Sequence, residues 1–176
     1  MSSVHLVLAT SNPGKVELFR QLCPEGWKLE AINPGYAELM APVGYESAAT
    51  AKANAVYRPA SGQFALGHDC GFEFESLGWG PGPETASWLS EAAPNPFALL
   101  EPGSRARVVH CVALVGDGIA SCALAVDNRT VVAPEATWDN TAALPLSSWV
   151  RGPARALERA LAAAITKIGI ASRGAT

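Results

Sequence analysis

At 176 residues and 18.3 kDa the chain is long enough for one domain, or one domain built as two lobes, and folding a chain this size removes roughly 70% of its surface from water. A content of 49% hydrophobic against 16% charged residues excludes disorder as the main state. Thirteen Lys and Arg against 16 Asp and Glu, a formal charge of -3, exclude a basic face that grips nucleic acid.

In chain order, Val4 to Ala9 reads as a strand and Thr10-Ser11-Asn12-Pro13-Gly14 as turn and helix-capping chemistry. Lys15 to Cys23 carries Val16, Phe19 and Leu22 at the spacing of one helix face. Trp27 to Ile32 predicts a second strand, and residues 33 to 44 a loop. The alanine-rich stretch Ser47 to Tyr57 predicts a helix stopped by Pro59, with Glu46 at its front edge. Phe64 to Gly67 and Phe72 to Leu77 read as strands flanking a turn at His68-Asp69-Cys70-Gly71. Gly78 to Pro83 is too rich in glycine and proline for regular structure, and residues 84 to 101 are weakly helical.

Arg105 to Val115 and Ile119 to Val126 form a predicted hairpin through Gly116-Asp117-Gly118, and Arg129 to Ala133 adds a third strand. A last helix runs from Pro153 to Ile168, with proline in its first turn. The whole predicts an α/β protein with a mixed sheet. Apolar runs stay short of the ~18 residues a bilayer span needs, and no Lys or Arg precedes the first of them, so no membrane partner and a cytoplasmic location are expected. Cys23, Cys70, Cys111 and Cys122 form no C-x-x-C pair, as in a reducing compartment; Cys111 and Cys122 fall where a hairpin would bring them close.

Several segments carry possible chemistry. Between a strand and a helix, Thr10, Ser11, Asn12 and Lys15 gather hydroxyls, an amide and an ammonium at a helix start, which suits a phosphate chain; a capped helix with an exposed lysine is the plainer reading. It is not a Walker loop, because Ala9 and Val16 take the places of the first glycine and the metal-binding hydroxyl. Glu46 and Asn54 lie on one helix face about 12 Å apart, with Arg58 continuing the stripe; such a stripe suits a metal and phosphate site or a solvated surface. Asp69, beside Gly71, is placed as a metal ligand or general base, or as a turn aspartate. Arg173 could reach a base or phosphate, or belong to a frayed tail.

The order of these segments resembles the HAM1-like family, the inosine and xanthosine triphosphate pyrophosphatases. The residues concerned are Thr10 to Lys15, Glu46 with Asn54-Ala55, Asp69-Cys70-Gly71-Phe72, Leu77-Gly78 with Pro81-Gly82, Arg105-Ala106-Arg107, His110-Cys111-Val112 and Ser172-Arg173-Gly174. They are similar to the family's A-T-x-N-x-G-K, its Glu ahead of Asn-Ala, D-D-S-G-L, L-G-G-x-P-G and terminal S-H-R-G. The resemblance implies a single domain over 1–176, with a mixed, curved sheet in two lobes about a central cleft. It implies hydrolysis of a nucleoside triphosphate to monophosphate and pyrophosphate with Mg2+, by a homodimer; His68, in place of a carboxylate, makes Mn2+ the alternative metal.

Carried over by position, Thr10, Ser11, Asn12 and Lys15 hold phosphates, with Lys15 also catalytic. Glu46 and Asp69 hold the metal, and Asp69 is the base. Asn54, Arg58, His68, Cys70, Gly71, Ser172 and Arg173 complete the substrate contacts. The departures from the family pattern are His68 for the first aspartate of D-D-S-G, Cys70 for its serine, Ser87 for an arginine, Ser172 for a histidine and Leu18 for a frequent glutamate. G-F-G-Y-D-P, which stacks on the base, has no counterpart; Trp138 is the nearest replacement and Trp149 the next. These losses support an alternative in which the scaffold binds nucleotide as a sensor or subunit with impaired catalysis.

Overall fold

The computed structural model describes residues 4–35, 44–91, 96–132 and 149–171. Strand β1 (His5–Ala9) leads through a capped turn into helix α1 (Pro13–Leu22) and strand β2 (Lys28–Ile32). Asn12 is the cap: its Oδ1 accepts from the backbone N–H of Gly14 at 2.9 Å and of Lys15 at 3.2 Å, satisfying donors that a helix start leaves open. Helix α2 (Tyr45–Val56) precedes the long strand β3 (Gln63–Phe74). A 3-10 turn at Glu75–Leu77, strand β4 (Gly80–Gly82) and helix α3 (Thr85–Glu91) follow. Among the described residues the remaining strands are β5 (Arg105–Gly116), β6 (Ile119–Val131) and β7 (Val150–Arg151), followed by helix α4 (Ala156–Ala171).

The strand order is β2-β1-β3-β5-β6-β7, with β4 beside β3. β1 runs parallel to β2 and β3, whereas β4 on β3 and β7 on β6 are antiparallel, so the sheet is mixed and the fold is α/β.

Four expectations change. Residues 68 to 71 are not a turn: β3 runs straight through them, because His68 and Asp69 find side-chain partners that their polarity alone does not announce. Gly80–Gly82 is a strand, its Pro81 tolerated opposite Glu73 because, among the described residues, β4 pairs with β3 alone. Arg129 to Val131 are the end of β6, not a separate strand. The last helix begins at Ala156, where the buried Asp127 carboxylate receives the Ala156 N–H at 2.8 Å, so Pro153 stands ahead of the helix.

The chain divides into two compact units. The first comprises Met1–Asp69, His110–Ala125 and Leu157–Thr176, the second Cys70–Val109 and Val126–Ala156. In the first unit, side-chain alternation along β1 sorts the core onto two sheet faces. Leu6 and Leu8 pack with Phe19 of α1, Leu66, Val112, Leu114 and the Leu157, Leu161 and Ile168 stripe of α4. Val7 and Ala9 pack with Ala49, Ala53 and Val56 of α2, Ala65, Cys111 and Ala113. Complete burial of each Leu or Phe contributes about 1.5–3 kcal/mol. The second unit has its own core of Phe74, Leu100, Ala106, Val108, Val131, Trp149 and Val150.

Because α1 and α2 cover opposite faces, the chain leaves β1 towards β2 on one side and returns to β3 on the other. The carboxyl end of β1 is therefore a topological switch point, the place where open α/β sheets bind ligands. Gly67 sets how closely α2 approaches: a Cβ there would fall 1.8 Å from the carbonyl oxygen of Ala49 and 2.7 Å from the nitrogen of Ala53. Both neighbours are backbone and cannot turn aside. Gly67→Ala is expected to cost at least about 2 kcal/mol, read as a melting temperature lower by roughly 4–8 °C. An unchanged melting temperature would show that α2 does not rest on this backbone.

Candidate functional site

The site grows from the switch point. Ala9 pairs with Gly67 in the parallel register, so Thr10 leaves the sheet level with His68. Thr10 is buried, its N–H donating to the carbonyls of Leu8 and Ile32 at 3.0 and 2.9 Å and its Oγ1 accepting from the Asn12 N–H at 3.1 Å. Ser11 and Asn12 are exposed, and Lys15 is half-buried in the first turn of α1.

On β3, Asp69 shares the face of Gly67 and so meets α2. Lys52 Nζ lies 2.8 Å from Asp69 Oδ1, with the two side chains only 9% and 13% exposed. Lys52 is absent from the residues that the sequence nominates. Its signal is there nonetheless: it is the one cation on the stripe Ala48, Ala49, Ala53 and Val56 that α2 buries. Glu46, in the first turn of the same helix, is exposed, where the helix dipole favours an acid.

The opposite face of β3 carries His68, which is 4% exposed. Its ring meets Phe19 edge-on and stacks on His110, each at 5.3 Å between centroids, and its Nε2 lies 3.0 Å from His110 Nδ1. Burial, then the charges of Lys15, His110 and Lys52, hold the imidazole well below the usual histidine range, so it is neutral near pH 7. On β5, burial pushes the Cys111 thiol up, aided by Cys122, whose sulfur is 2.8 Å away, and by the carboxylates of Glu46 and Asp69. Both thiols are free. Lys15 and Lys52 thus bear on one imidazole, and Glu46 and Asp69 on one thiol.

Asn54 is exposed on α2. Arg58 does not continue that helix face: α2 ends at Val56, because a residue preceding proline, here Pro59, avoids the helical region, and the Arg58 guanidinium donates to the Tyr57 carbonyl at 3.1 Å. Cys70 and Gly71 continue β3 into the second unit. Trp138, Ser172 and Arg173 lie outside the described residues. Trp149 is 5% exposed in the second unit's core, so packing takes up its indole.

The chemistry of the donors is mixed. Glu46 and Asp69 offer hard oxygens that suit Mg2+ or Mn2+, whereas the paired imidazoles of His68 and His110 suit softer ions. The Ham1 family model matches residues 6–133. The chain belongs to the Ham1 family.

Over 84 residues it is 34% identical to a dITP/XTP pyrophosphatase of Gloeobacter violaceus, covering 47% of this chain and 43% of that protein. Over 91 residues it is 36% identical to a dITP/XTP pyrophosphatase of Symbiobacterium thermophilum, covering 51% and 46%. The match therefore spans less than half the length of these curated relatives. Among solved structures, a HAM1 protein from Coxiella burnetii superposes with a TM-score of 0.53 at 18% identity over 73% of each chain. A nucleoside-triphosphatase, or dITP/XTP pyrophosphatase, from Mycobacterium abscessus does so with a TM-score of 0.53 at 19% identity over 98% of each. At these identities the superpositions show a Ham1 fold.

Two outcomes are expected of the Ham1 site in chelator. Lys52→Met, which leaves Asp69 unpaired, should lower the unfolding free energy by about 3–5 kcal/mol in urea titrations, and adding Asp69→Asn should recover at least half of that loss. An additive double variant would deny the pair. For His68, the unfolded chain takes up a proton near the ordinary value of about 6.5, which the folded chain refuses. Its contribution is therefore fully present above that pH and is lost as pH falls below it, at up to about 1.4 kcal/mol per pH unit. His68→Gln should flatten the stability profile between pH 6.5 and 5, and an unchanged slope would place its origin elsewhere.

Proposed function

We propose that this chain is a nucleoside triphosphate pyrophosphatase, which hydrolyses the bond between the α and β phosphorus atoms of a ribo- or deoxyribonucleotide with a noncanonical or modified base. The observation that carries the reading is the ion pair of Lys52 on α2 with Asp69 on β3 at 2.8 Å, to which family position adds Lys15 and Glu46. The names of the curated Ham1 relatives support the same chemistry.

A triphosphate brings about four negative charges, which must be offset before water can approach the α-phosphorus. Lys15 meets that charge from α1, and Thr10, Ser11 and Asn12 position the phosphates. Asp69 accepts a proton from the attacking water, and Lys52 fixes the orientation of its carboxylate. A divalent cation, Mg2+ with Mn2+ as substitute, would be held by Glu46 and Asp69 and would supply further charge neutralisation and a more acidic bound water. Asn54, Cys70, Gly71, Ser172 and Arg173 complete the proposed substrate contacts by family position, and Trp138 is the proposed stacking surface for the base.

A second reading, a nucleotide binder with impaired catalysis, is favoured by one observation: His68, where the family pattern has an acid, is buried and neutral and brings the site no negative charge. By family position the protein works as a homodimer in a single domain of two lobes. A cytoplasmic setting, without nucleic acid or membrane as partner, is supported by four cysteines that form no disulfide and by the net charge of -3. Among the described residues no helix is long and apolar enough to cross a membrane.

Canonical and modified nucleoside triphosphates screened for pyrophosphate release should yield a metal-dependent substrate. Asp69→Asn and Lys15→Ala should each slow it by at least about 100-fold. Saturable binding with no turnover in Mg2+ or Mn2+ would establish the second reading, and full activity of Asp69→Asn would remove Asp69 as the base.

A further inference from the structure

The second unit holds a cluster that the proposed reaction leaves unused. Arg105 and Arg107 occupy alternate positions of β5 and Arg129 lies on β6; with Trp79, Ala106 and Asn128 they line a cavity of about 440 Å3. That volume falls in the range of small-molecule sites, roughly 300–1,000 Å3.

Each guanidinium has an acid nearby, but only one is hydrogen-bonded to it. Arg105 Nε donates to Glu75 Oε1 at 3.0 Å. Arg107 Nη1 stands 3.7 Å from Glu73 Oε2, and Arg129 Nη2 stands 3.7 Å from Asp127 Oδ2, both beyond hydrogen-bond reach. Charge is balanced while donors are left over, since each guanidinium carries five N–H groups. Arg129 is the clearest case. Its side chain is 12% exposed, its Nε is buried without a partner, and the Asp127 oxygen nearest it is occupied by the Ala156 N–H at 2.8 Å.

Trp79 lies against two of the cations. Its φ of 69° lies in the left-handed region that a residue with a Cβ seldom adopts, and its N–H is anchored on the Phe74 carbonyl at 2.8 Å. The guanidinium carbon of Arg107 lies 3.9 Å from the indole centroid and that of Arg105 5.5 Å, so the ring competes with the carboxylates for both.

We propose that this cavity binds a phosphate group, held by Arg107 and Arg129, with Trp79 as the platform that fixes Arg107. A carboxylate is satisfied by a single guanidinium fork, whereas the tetrahedral oxygens of a phosphate accept from cations arriving on two different strands. The phosphate is either free, as orthophosphate or pyrophosphate, or esterified to a small molecule that fills the rest of the cavity. The proposed catalytic groups all belong to the first unit, so this site stands or falls apart from the pyrophosphatase reading.

The test is a calorimetric titration of the full chain carrying Asp69→Asn, in chelator and at constant ionic strength, with orthophosphate, pyrophosphate, adenosine monophosphate and acetate as separate probes. Saturable binding of a phosphate probe is expected, weakened at least tenfold by Arg129→Gln and by Arg107→Gln. In the unsubstituted chain, the Arg129 Nε–H nuclear magnetic resonance signal should shift along the same saturation curve, a readout that needs no folded variant. Binding of pyrophosphate or orthophosphate alone assigns the free anion, and binding of the monophosphate alone assigns the ester. Binding of acetate equal to that of phosphate, affinities indifferent to both arginine substitutions, or an unmoved Arg129 signal would each overturn the proposal.

Discussion

Everything in the first unit depends on how near α2 can come to β3, and that is decided at Gly67. With no side chain at that position, the backbone of the helix rests on the backbone of the strand, and Lys52 then reaches Asp69 two residues further along. A small-residue surface on α2, Ala48, Ala49 and Ala53, completes the fit. The alanine content of this helix is thus a packing requirement as well as a matter of helix propensity. The ion pair is the chemical product of that steric fact, and it places a charged couple where hydrophobic burial alone would have put two apolar side chains.

Strand alternation explains the rest of the arrangement. Successive residues of β3 face opposite sides, so neighbours in sequence enter different environments: His68 goes to the aromatic side with Phe19 and His110, and Asp69 to the side of Lys52 and Cys111. One residue is stripped of its proton by burial and adjacent cations, and the next is held by a lysine. A single-residue slip of this strand would exchange the two roles.

How much of this is legible in the sequence follows from where each determinant lies. The turn after β1 is readable because Asn12, Pro13 and the first helical residues act within four positions of each other. The two helices covering β1 are readable from their periodicity. The continuity of β3 is not, because His68 and Asp69 look like turn residues until His110 and Lys52, distant along the chain, are known to receive them. The start of α4 hides for the same reason, its first N–H being received by Asp127 rather than by a neighbour. Lys52 differs from these: its place on a stripe of buried alanines was visible, and a cation at such a position calls for an acid opposite it.

The cap on α1 has a consequence of its own. The Asn12 carboxamide occupies the N–H groups of Gly14 and Lys15, donors of the kind that anions seek at a helix start. An anion arriving at this loop would accordingly exchange one acceptor for another. A firmer α1 and a loop more open to an anion would then place opposite demands on the same atoms.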